Sequence, residues 1–445
     1  MVYIGIDLGT TNSCVAVIEN DKPHAIHDDH GKTIVPSIVA ICESETLVGK
    51  AALDSNTDIT NLLYDSKRLI GWSDLEDVPV AKHKHLWTFD VDARNNCAGY
   101  VLNKGKSNET FIEPVFVSSK ILEYLKKTAL RYSTTDVITG AVVTIPALFN
   151  RDQEAATRNA AKMAGLDLKY LVHEPTAAAI AYNEHNKLGD SVLLTFDFGG
   201  GTLDVSVVQI KNGKFEVKAV SGNPHLGGQD FDNRIIEYFI EELYKSPSSD
   251  YDIFKKPRTL KRLRKVCIQA KESLSHNINS YDVYLEIDDD NEIRVALTRE
   301  KFNELCIDLF EEAVKYVDKV LNMTNLTVNQ IDHVILVGGS AKIPMINQLI
   351  ENKFGREKLR CNIDPLEAIA YGAAIVANMI ENNKTLPLID VQFEKSGAEI
   401  PMPNGFNNFD IKRPINIELP KPRILFDIPT ITDSPKLFYR MTHVI

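Results

Sequence analysis

An internal repeat is the sequence feature that most constrains this fold. The string IGIDLGTTNSCVAVI, which contains Asp7, returns as LTFDFGGGTLDVSVV, which contains Asp197 at an offset of 190 residues (197 − 7). The same offset separates Glu174, which opens EPTAAAIAY, from Asp364, which opens DPLEAIAY. Matches in one order at one spacing predict two homologous halves, and a period this long does not fit a solenoid.

Apolar strand patterns alternate with helical patterns in both halves, which predicts an α/β fold. The segments between repeat units differ, and we interpret them as inserted subdomains that give the cleft between the halves four walls. The predicted first lobe covers 1–187, with an insertion at about 37–108, and the second lobe covers 188–384, with an insertion at about 227–306. A linker-like segment follows at 385–391. The last segment, 392–445, is predicted to be a short proline-rich tail that is extended or partly disordered.

Several local elements follow from the pattern. Asn150 is predicted to cap a helix that runs to Ala164 and ends at Gly165. Apolar residues at helical spacing predict helices that include Phe231–Leu243 and Leu260–Leu274. Two alternating apolar segments around a turn at 288–291 predict a β-hairpin. The basic run at 261–265 is expected to be a solvated helix face.

Charge and composition narrow the function. The chain of 445 residues has a formal net charge of −11, which argues against a general nucleic-acid binder. No apolar run is long enough to span a bilayer and no secretory leader is recognised, so we expect no membrane contact and a cytoplasmic protein. The six cysteines form no CxxC pair and are expected to be reduced, without a zinc site.

A glycine turn follows the aspartate in each repeat. Glycines let backbone N–H groups approach an anion, and two homologous turns facing each other can hold a polyphosphate from both sides. Neither turn is a Walker loop. Asp7 and Asp197 beside phosphates would need a counter-ion, and Mg²⁺, which keeps several waters, suits them. A third glycine turn, Gly338-Gly339-Ser340, can let a flat base approach the backbone.

The sequence resembles the DnaK-type heat shock protein 70 family, within the actin and sugar-kinase ATPase superfamily. The resemblance covers residues 1 to about 391 and rests on a set of specific strings: IGIDLGTTNSCVAV, YDSKRLIG, AVVTIPALFN, HEPTAAAIAY, FDFGGGTLDVSVV, HLGGQDFDNR, AKESLS, LVGGSAKIP and DPLEAIAYGAA. It implies duplicated ribonuclease-H-like, actin-like ATPase halves with four subdomains around a central nucleotide cleft. It also implies ATP or ADP, Mg²⁺ and K⁺ as ligands.

The resemblance implies a role for each matching residue. Lys67 would reach the γ-phosphate and the attacking water, which Glu174 and Asp204 would order; Thr202 would join this catalytic group. Asp7 and Asp197 would hold hydrated Mg²⁺, and with Asp204 would help to place K⁺. The remaining residues would bind the phosphates, the adenosine and the base: Gly9, Thr10, Thr11, Asn12, Gly199, Gly200, Gly201, Gly227, Gly228, Lys271, Ser275, Gly338, Gly339, Ser340 and Lys342.

The sequence departs from the family at positions that couple ATP to partners. Glu154 and Tyr170 stand where basic residues are usual, which puts stimulation by J-domain cochaperones in doubt. Gln229 replaces a usual Glu, Leu366 a usual Asp and Lys342 a usual base-stacking Arg. The region after the linker-like segment is also shorter than the family's peptide-binding sandwich and helical lid. Within it, we consider a short strand near Ile415–Leu419 as an alternative to extended chain.

Three functions remain open from the sequence. The first is a slow ATPase in a chaperone-like protein that lacks a complete peptide-binding domain. The second is a non-hydrolysing, nucleotide-gated module or co-chaperone that acts on a full-length chaperone. The third, a small-molecule kinase, is weaker because no sugar-binding signature stands out. A monomer is expected, with J-domain cochaperones, exchange factors or a full-length chaperone as partners.

Overall fold

The protein is known from a computed structural model that describes residues 2–75, 87–133, 137–244, 257–276, 278–288, 291–395 and 409–416. Strands and helices alternate through these residues, which confirms the predicted α/β fold class. No helix in these ranges is both long and apolar enough to cross a membrane.

The first half contains the following elements in chain order: β1 (Val2–Asp7), β2 (Asn12–Glu19), β3 (Lys22–Ala25), β4 (Ile34–Pro36), β5 (Val39–Ile41), β6 (Thr46–Val48), α1 (Lys50–Asp54), β7 (Leu62–Leu63), α2 (Ser66–Leu69), β8 (Asp90–Arg94), β9 (Cys97–Leu102), β10 (Thr110–Ile112), α3 (Pro114–Tyr132), β11 (Ile138–Ile145), α4 (Arg151–Met163), β12 (Leu168–His173) and α5 (Glu174–Asn186).

The second half continues with these elements: β13 (Ser191–Phe198), β14 (Leu203–Lys211), β15 (Lys214–Asn223), α6 (Gly228–Tyr244), α7 (Pro257–Ser275), β16 (Ser280–Asp288), β17 (Asn291–Thr298), α8 (Arg299–Leu305), α9 (Ile307–Thr324), β18 (His333–Val337), α10 (Pro344–Phe354), β19 (Leu359–Arg360), α11 (Ala368–Glu381), β20 (Leu388–Lys395) and β21 (Phe409–Asn416). Short 3₁₀ turns lie at Ile59–Asn61, Val328–Gln330, Gly339–Lys342 and Arg356–Lys358.

The two halves share one sheet topology. In the first, the strand order is β12-β11-β1-β2-β3, with β1 antiparallel to β2 and parallel to β11. In the second, the order β19-β18-β13-β14-β15 repeats it, with β13 antiparallel to β14 and parallel to β18. β13, in the middle of the second sheet, is almost wholly buried, as expected for a strand covered on both faces. The duplication predicted from the repeat is therefore present in the fold.

Helices α5 and α11 occupy equivalent places in the two halves and pack against each other between the sheets. Their buried faces are largely alanine, including Ala177, Ala178 and Ala373, and these residues belong to one apolar cluster with strands of both halves. Small side chains allow the two helix axes to come close. The α5–α11 pair is therefore the structural link between the halves, beneath the cleft.

The inserted segments carry their own small sheets and helices. Strands β5, β6 and β7 form one three-stranded sheet, and β8, β9 and β10 form another. In the second half, α6 and α7 lie beside the hairpin of β16 and β17, and Phe231, Ile235 and Phe239 of α6 are fully buried. Apart from β10, which follows the first predicted insertion, these elements fall inside the segments predicted as insertions. The boundaries of the lobes and inserted subdomains stay a prediction.

The predicted helix cap is present at α4. Asn150 Oδ1 accepts a hydrogen bond from the Gln153 N–H at 2.9 Å, and Gln153 Oε1 accepts one from the Asn150 N–H at 3.1 Å. These two bonds form a capping box, which satisfies two backbone donors that the helix itself leaves free. Gly165 follows the helix with φ of 65°. The predicted hairpin is also present as β16 and β17, with residues 289–290 of its turn outside the described ranges.

The linker-like segment ends as a strand on the second sheet. β20 begins at Leu388 and pairs in parallel with β15, and β21 pairs antiparallel with β20. Pro414 lies in β21 at the outer edge of the sheet, where a residue without an N–H is tolerated. A strand was considered near Ile415–Leu419, and β21 begins before it. Residues 396–408 and 417–445 of the tail, which include the last three residues of that predicted strand, lie outside the described ranges.

Candidate functional site

A cavity of about 620 Å³ lies between the two halves. It is lined by residues of both repeats and of both insertions, so it has the four walls expected from the sequence. Most of the predicted site residues line it: Asp7, Gly9, Thr10, Thr11, Asn12, Lys67, Glu174, Asp197, Gly199, Gly200, Thr202, Gly228, Lys271, Ser275, Gly338, Gly339, Ser340 and Lys342.

Three predicted residues lie behind the cavity wall. Asp204 is buried on β14, directly opposite Asp197 of β13. Gly201 and Gly227 support the second glycine turn, and Gly227 lies directly against the Gly200–Gly201 backbone. These three residues are therefore next to the cavity lining without being part of it.

The first glycine turn connects β1 to β2, and serines fix its backbone. The Ser13 hydroxyl accepts a hydrogen bond from the Gly9 N–H at 3.2 Å, and the Ser37 hydroxyl donates one to the Gly9 carbonyl at 2.8 Å. Ser13 and Ser37 are both buried, and their hydroxyl oxygens lie 2.8 Å apart. The turn is therefore held in one conformation before any ligand arrives, which is the condition for preorganised anion binding.

The second glycine turn, between β13 and β14, faces the first. A Cβ atom on Gly200 would lie 1.9 Å from Thr11 Oγ1 and 2.6 Å from Thr11 Cβ. A side chain at Gly200 would overlap Thr11, so the glycine lets the second turn lie directly against the Thr11 side chain of the first. The turn is tied to its own half, because the Ser340 hydroxyl donates to the Gly199 carbonyl at 2.7 Å.

Lys67 and Glu174 form a buried ion pair on one wall of the cavity. Lys67 lies on the short helix α2, and Glu174 is the first residue of α5, where the helix dipole favours a carboxylate. Lys67 Nζ lies 2.6 Å from Glu174 Oε1. Burial by itself lowers the pKa of Lys67, but the charges of Glu174 and Asp7 together raise it above its ordinary value. Lys67 is therefore held charged inside the cleft.

The acidic residues of the site are crowded and buried. Burial raises the pKa of Asp7 to about 7, which Lys67 partly opposes and Glu174 reinforces; the Thr144 hydroxyl also donates to Asp7 at 3.0 Å. Burial, and then the charges of Glu174 and Asp204, raise the pKa of Asp197 well above its ordinary value. Burial raises the pKa of Asp204 to about 7. Carboxylates arranged in this way favour a bound cation.

Another part of the cavity wall is formed by the third glycine turn and by α7. Lys271 Nζ lies 2.9 Å from the Gly228 carbonyl and 2.8 Å from Asp232, so this lysine fixes the start of α6. Ser275 follows one helical turn later, and its hydroxyl donates to the Lys271 carbonyl. Lys342 Nζ lies 2.9 Å from Asp364. Its ammonium is thus committed to a carboxylate beside the cavity.

The expectation that residues 261–265 form a solvated helix face is wrong for part of the run. Lys261 and Arg264 are half-buried and line the cavity, and Lys261 Nζ lies 3.3 Å from the Leu53 carbonyl of the first insertion. Arg262 and Lys265 are exposed, although Lys265 also borders the cavity. The pattern could not predict this, because the partner of the helix face comes from a distant part of the chain.

Sequence analysis did not single out Arg68 or Asp65. Arg68 is 6% exposed and its Nη2 lies 3.7 Å from Asp230 of α6. The guanidinium also lies against Gly201, since a Cβ there would be 2.7 Å from Arg68 Nε. Asp65 accepts a hydrogen bond from Gln229 Nε2 at 2.5 Å. Their position in the sequence could have indicated them, since both residues lie close to Lys67 in the string YDSKRLIG.

The site is therefore a cleft in a duplicated α/β fold, with a glycine turn on each side and buried acids beneath. A family profile described as Hsp70 protein matches residues 3–399. The chain belongs to the Hsp70 family. Members of the Hsp70 family are chaperones that bind ATP and ADP with Mg²⁺ and hydrolyse ATP.

Two curated Hsp70 relatives have similar sequences. The chain is 40% identical over 401 residues to heat shock cognate 70 kDa protein 3 of Dictyostelium discoideum, an alignment that covers 88% of this chain and 62% of that protein. It is 39% identical over 385 residues to the heat shock 70 kDa protein of Neurospora crassa, covering 85% of this chain and 58% of the relative. The chain thus spans about three fifths of the length of these relatives.

Proposed function

We propose that this protein is an ATP-binding, slowly ATP-hydrolysing chaperone-like member of the Hsp70 family. The observation that carries the proposal is the convergence of Asp7, Lys67, Glu174 and Asp197 on one cavity between two facing glycine turns. The N–H groups of glycine turns suit phosphate oxygens, and buried charges act strongly where water is excluded.

In this proposal, each turn binds phosphates from its own side, with Thr10, Thr11 and Asn12 on one and Gly200, Gly201 and Thr202 on the other. Lys67 stabilises negative charge that develops on the γ-phosphate. Glu174, fixed by its bond to Lys67, accepts a hydrogen bond from the attacking water and orients it, with Asp204 behind. Gly9, Gly199, Gly227 and Gly228 shape this end of the cleft.

Asp7 and Asp197 fit a magnesium site. Burial raises the pKa values of both carboxyl groups, and oxygen ligands suit Mg²⁺. The two acids would hold the ion largely through water, because Mg²⁺ keeps several of its waters and takes few protein ligands. Bound Mg²⁺ would supply positive charge to the phosphates. Asp204, with these acids, would help to place K⁺.

The adenosine would lie at the other end of the cavity. Lys271 and Ser275 of α7 form one side of it, and the turn of Gly338, Gly339 and Ser340 forms the other. Lys342 borders the base only through its aliphatic chain, because its ammonium pairs with Asp364. A lysine also stacks on a base less well than a planar guanidinium does. We therefore expect the base to be bound mainly by backbone and apolar contact.

Partners and compartment are part of the proposal. Family membership favours J-domain cochaperones, exchange factors or a full-length Hsp70 as partners, a cytoplasmic monomer as the working form, and neither nucleic acid nor membrane as a ligand. Glu154 and Tyr170, which replace basic residues at the coupling surface, favour weak stimulation by J-domains.

A titration and a turnover assay test the proposal. Calorimetry with ADP and ATP, with and without Mg²⁺, should show binding that Mg²⁺ strengthens. Single-turnover hydrolysis should then be lost in Lys67→Ala and retained in Lys315→Ala, a matched change at an exposed lysine of α9. Equal background hydrolysis by the parent and Lys67→Ala would contradict the proposed ATPase activity. Absence of any nucleotide binding would contradict the whole proposal.

A second function is favoured by the altered base and coupling positions. Leu366 lines the cavity and Lys342 is paired with Asp364. The residues expected to border the base therefore differ from the Asp and Arg that are usual in the family. A non-hydrolysing, nucleotide-gated module that binds a full-length Hsp70 would fit these residues. It predicts Mg²⁺-dependent ATP binding without turnover, together with capture of a purified full-length Hsp70 in a pull-down.

A further inference from the structure

A hydrogen bond joins the two halves beside the cleft. Gln229 Nε2, at the start of α6 in the second half, donates to Asp65 Oδ1 of the first half at 2.5 Å. Both residues line the cavity. Any ligand enclosed between the halves therefore lies beside a contact that must break when the halves separate.

Asp65 is rigidly held by its own half. It is 1% exposed, and its backbone adopts the left-handed conformation with φ of 61°, which is unfavourable for a residue with a Cβ. Its second oxygen, Oδ2, accepts a hydrogen bond from Trp87 Nε1 at 3.1 Å. Packing, the backbone conformation and the Trp87 indole therefore hold the Asp65 side chain in the first half, so it would not move with Gln229 if the halves separated.

Gln229 is held with equal firmness by the second half. Its backbone N–H donates to the Gly200 carbonyl at 2.8 Å, which ties it to the second glycine turn. Its side-chain Nε2 also lies 3.5 Å from Thr11 Oγ1 of the first turn. The neighbouring residue, Asp230, faces Arg68 across the same boundary at 3.7 Å. Gln229 thus touches both turns and the opposite insertion.

This contact needs a hydrogen-bond donor on residue 229, and the Gln229 carboxamide supplies it. A carboxamide has N–H donors to offer the Asp65 carboxylate, while a glutamate at the same place would set two carboxylates against each other. We propose that Gln229 is a positioning residue that holds the cleft closed over bound nucleotide and slows its release. The proposal rests on the nucleotide binding proposed above and goes beyond it, since it assigns the release rate to one interlobe contact.

The test is release of N-methylanthraniloyl-ADP, chased with excess ADP in a stopped-flow instrument. Gln229→Glu should release the nucleotide at least about tenfold faster, because a hydrogen bond to a charged group is replaced by repulsion. Adding Asp65→Asn should bring the rate back close to that of the parent, because the asparagine amide can accept from Trp87 and donate to the new carboxylate. Gln348→Glu, the same change at an exposed residue of α10, should leave the rate unchanged.

The outcomes separate this inference from the proposed function. Fast release in Gln229→Glu with rescue in the double variant supports the interlobe contact. Normal ADP binding with one release rate in all variants, or a double variant as fast as Gln229→Glu, overturns it and leaves nucleotide binding intact. Failure of the parent protein to bind the labelled ADP or unlabelled ADP overturns both. Thermal unfolding of each variant shows whether any rate change reflects loss of fold.

Discussion

Lys67 Nζ lies 2.6 Å from Glu174 Oε1, and the two side chains are only 9% and 5% exposed. The pair joins α2, in the first insertion, to the first residue of α5, at the base of the cleft. It therefore fixes the position of an insertion relative to the core of its own half. Lys67 also lies beside a crowded group of acids, so its role extends to the stability of the empty site.

Lys67→Met should lower the free energy of unfolding by about 3 kcal/mol in the absence of nucleotide and metal. The substitution leaves Glu174 buried without its partner, and breaking one side of a buried pair costs about 3–5 kcal/mol. Urea denaturation measures the change. Adding Glu174→Gln should recover part of the loss, because the uncompensated charge is removed. An unchanged urea midpoint in Lys67→Met would show that the pair contributes nothing to stability.

Gly200→Ala should destabilise the protein by about 1–3 kcal/mol, which is the usual cost of overpacking a buried site. The new Cβ would overlap Thr11, so the two glycine turns would have to separate. Gly199→Ala is the matched control, since a Cβ there meets no atom closer than 3.6 Å. Thermal and urea unfolding should distinguish the neighbours, and equal effects would contradict the close approach of the turns.

Asp230 should make stability fall as the pH rises between about 4 and 6. Burial raises the pKa of Asp230 from 3.8 to about 6, although Arg68 and the Gly227 N–H oppose this shift. In that window the folded state holds a proton that the unfolded state has lost, so raising the pH favours unfolding, by up to about 3 kcal/mol.

Asp230→Asn should remove this dependence. Relative to the parent, the variant should gain stability steadily from pH 4 to pH 6 and then show a constant difference. Urea denaturation in metal-free buffer across this range measures it. A difference that does not vary with pH would mean that Asp230 has a similar pKa in the folded and unfolded states.

Lys342→Ala should weaken ADP binding much less than Lys271→Ala. The Lys342 ammonium is committed to Asp364 at a partly exposed position, whereas Lys271 lies between the Gly228 carbonyl and the buried Asp232. Removing Lys271 leaves Asp232 without its cation and frees the start of α6. Calorimetric titration with ADP compares the two variants, and a larger loss in Lys342→Ala would contradict this assignment.

The repeat in the sequence predicted much of this fold, because strand, aspartate and glycine turn are local features that must recur in each copy. The cap at Asn150 and the hairpin of β16 and β17 followed from local pattern in the same way. Contacts between the halves were out of reach. Lys261 contacts the Leu53 carbonyl, and Gln229 donates to Asp65. Each contact joins segments far apart in the chain, so no local sequence pattern predicts it.

The two halves match in register, but the residue paired with each aspartate differs. Asp7 lies opposite Cys14 in the first half, and Asp197 lies opposite Asp204 in the second. A cleft with true twofold symmetry would accept a linear anion in either of two opposite directions with equal affinity. The thiol behind one turn and the extra carboxyl group behind the other make the two sides of the cleft chemically different.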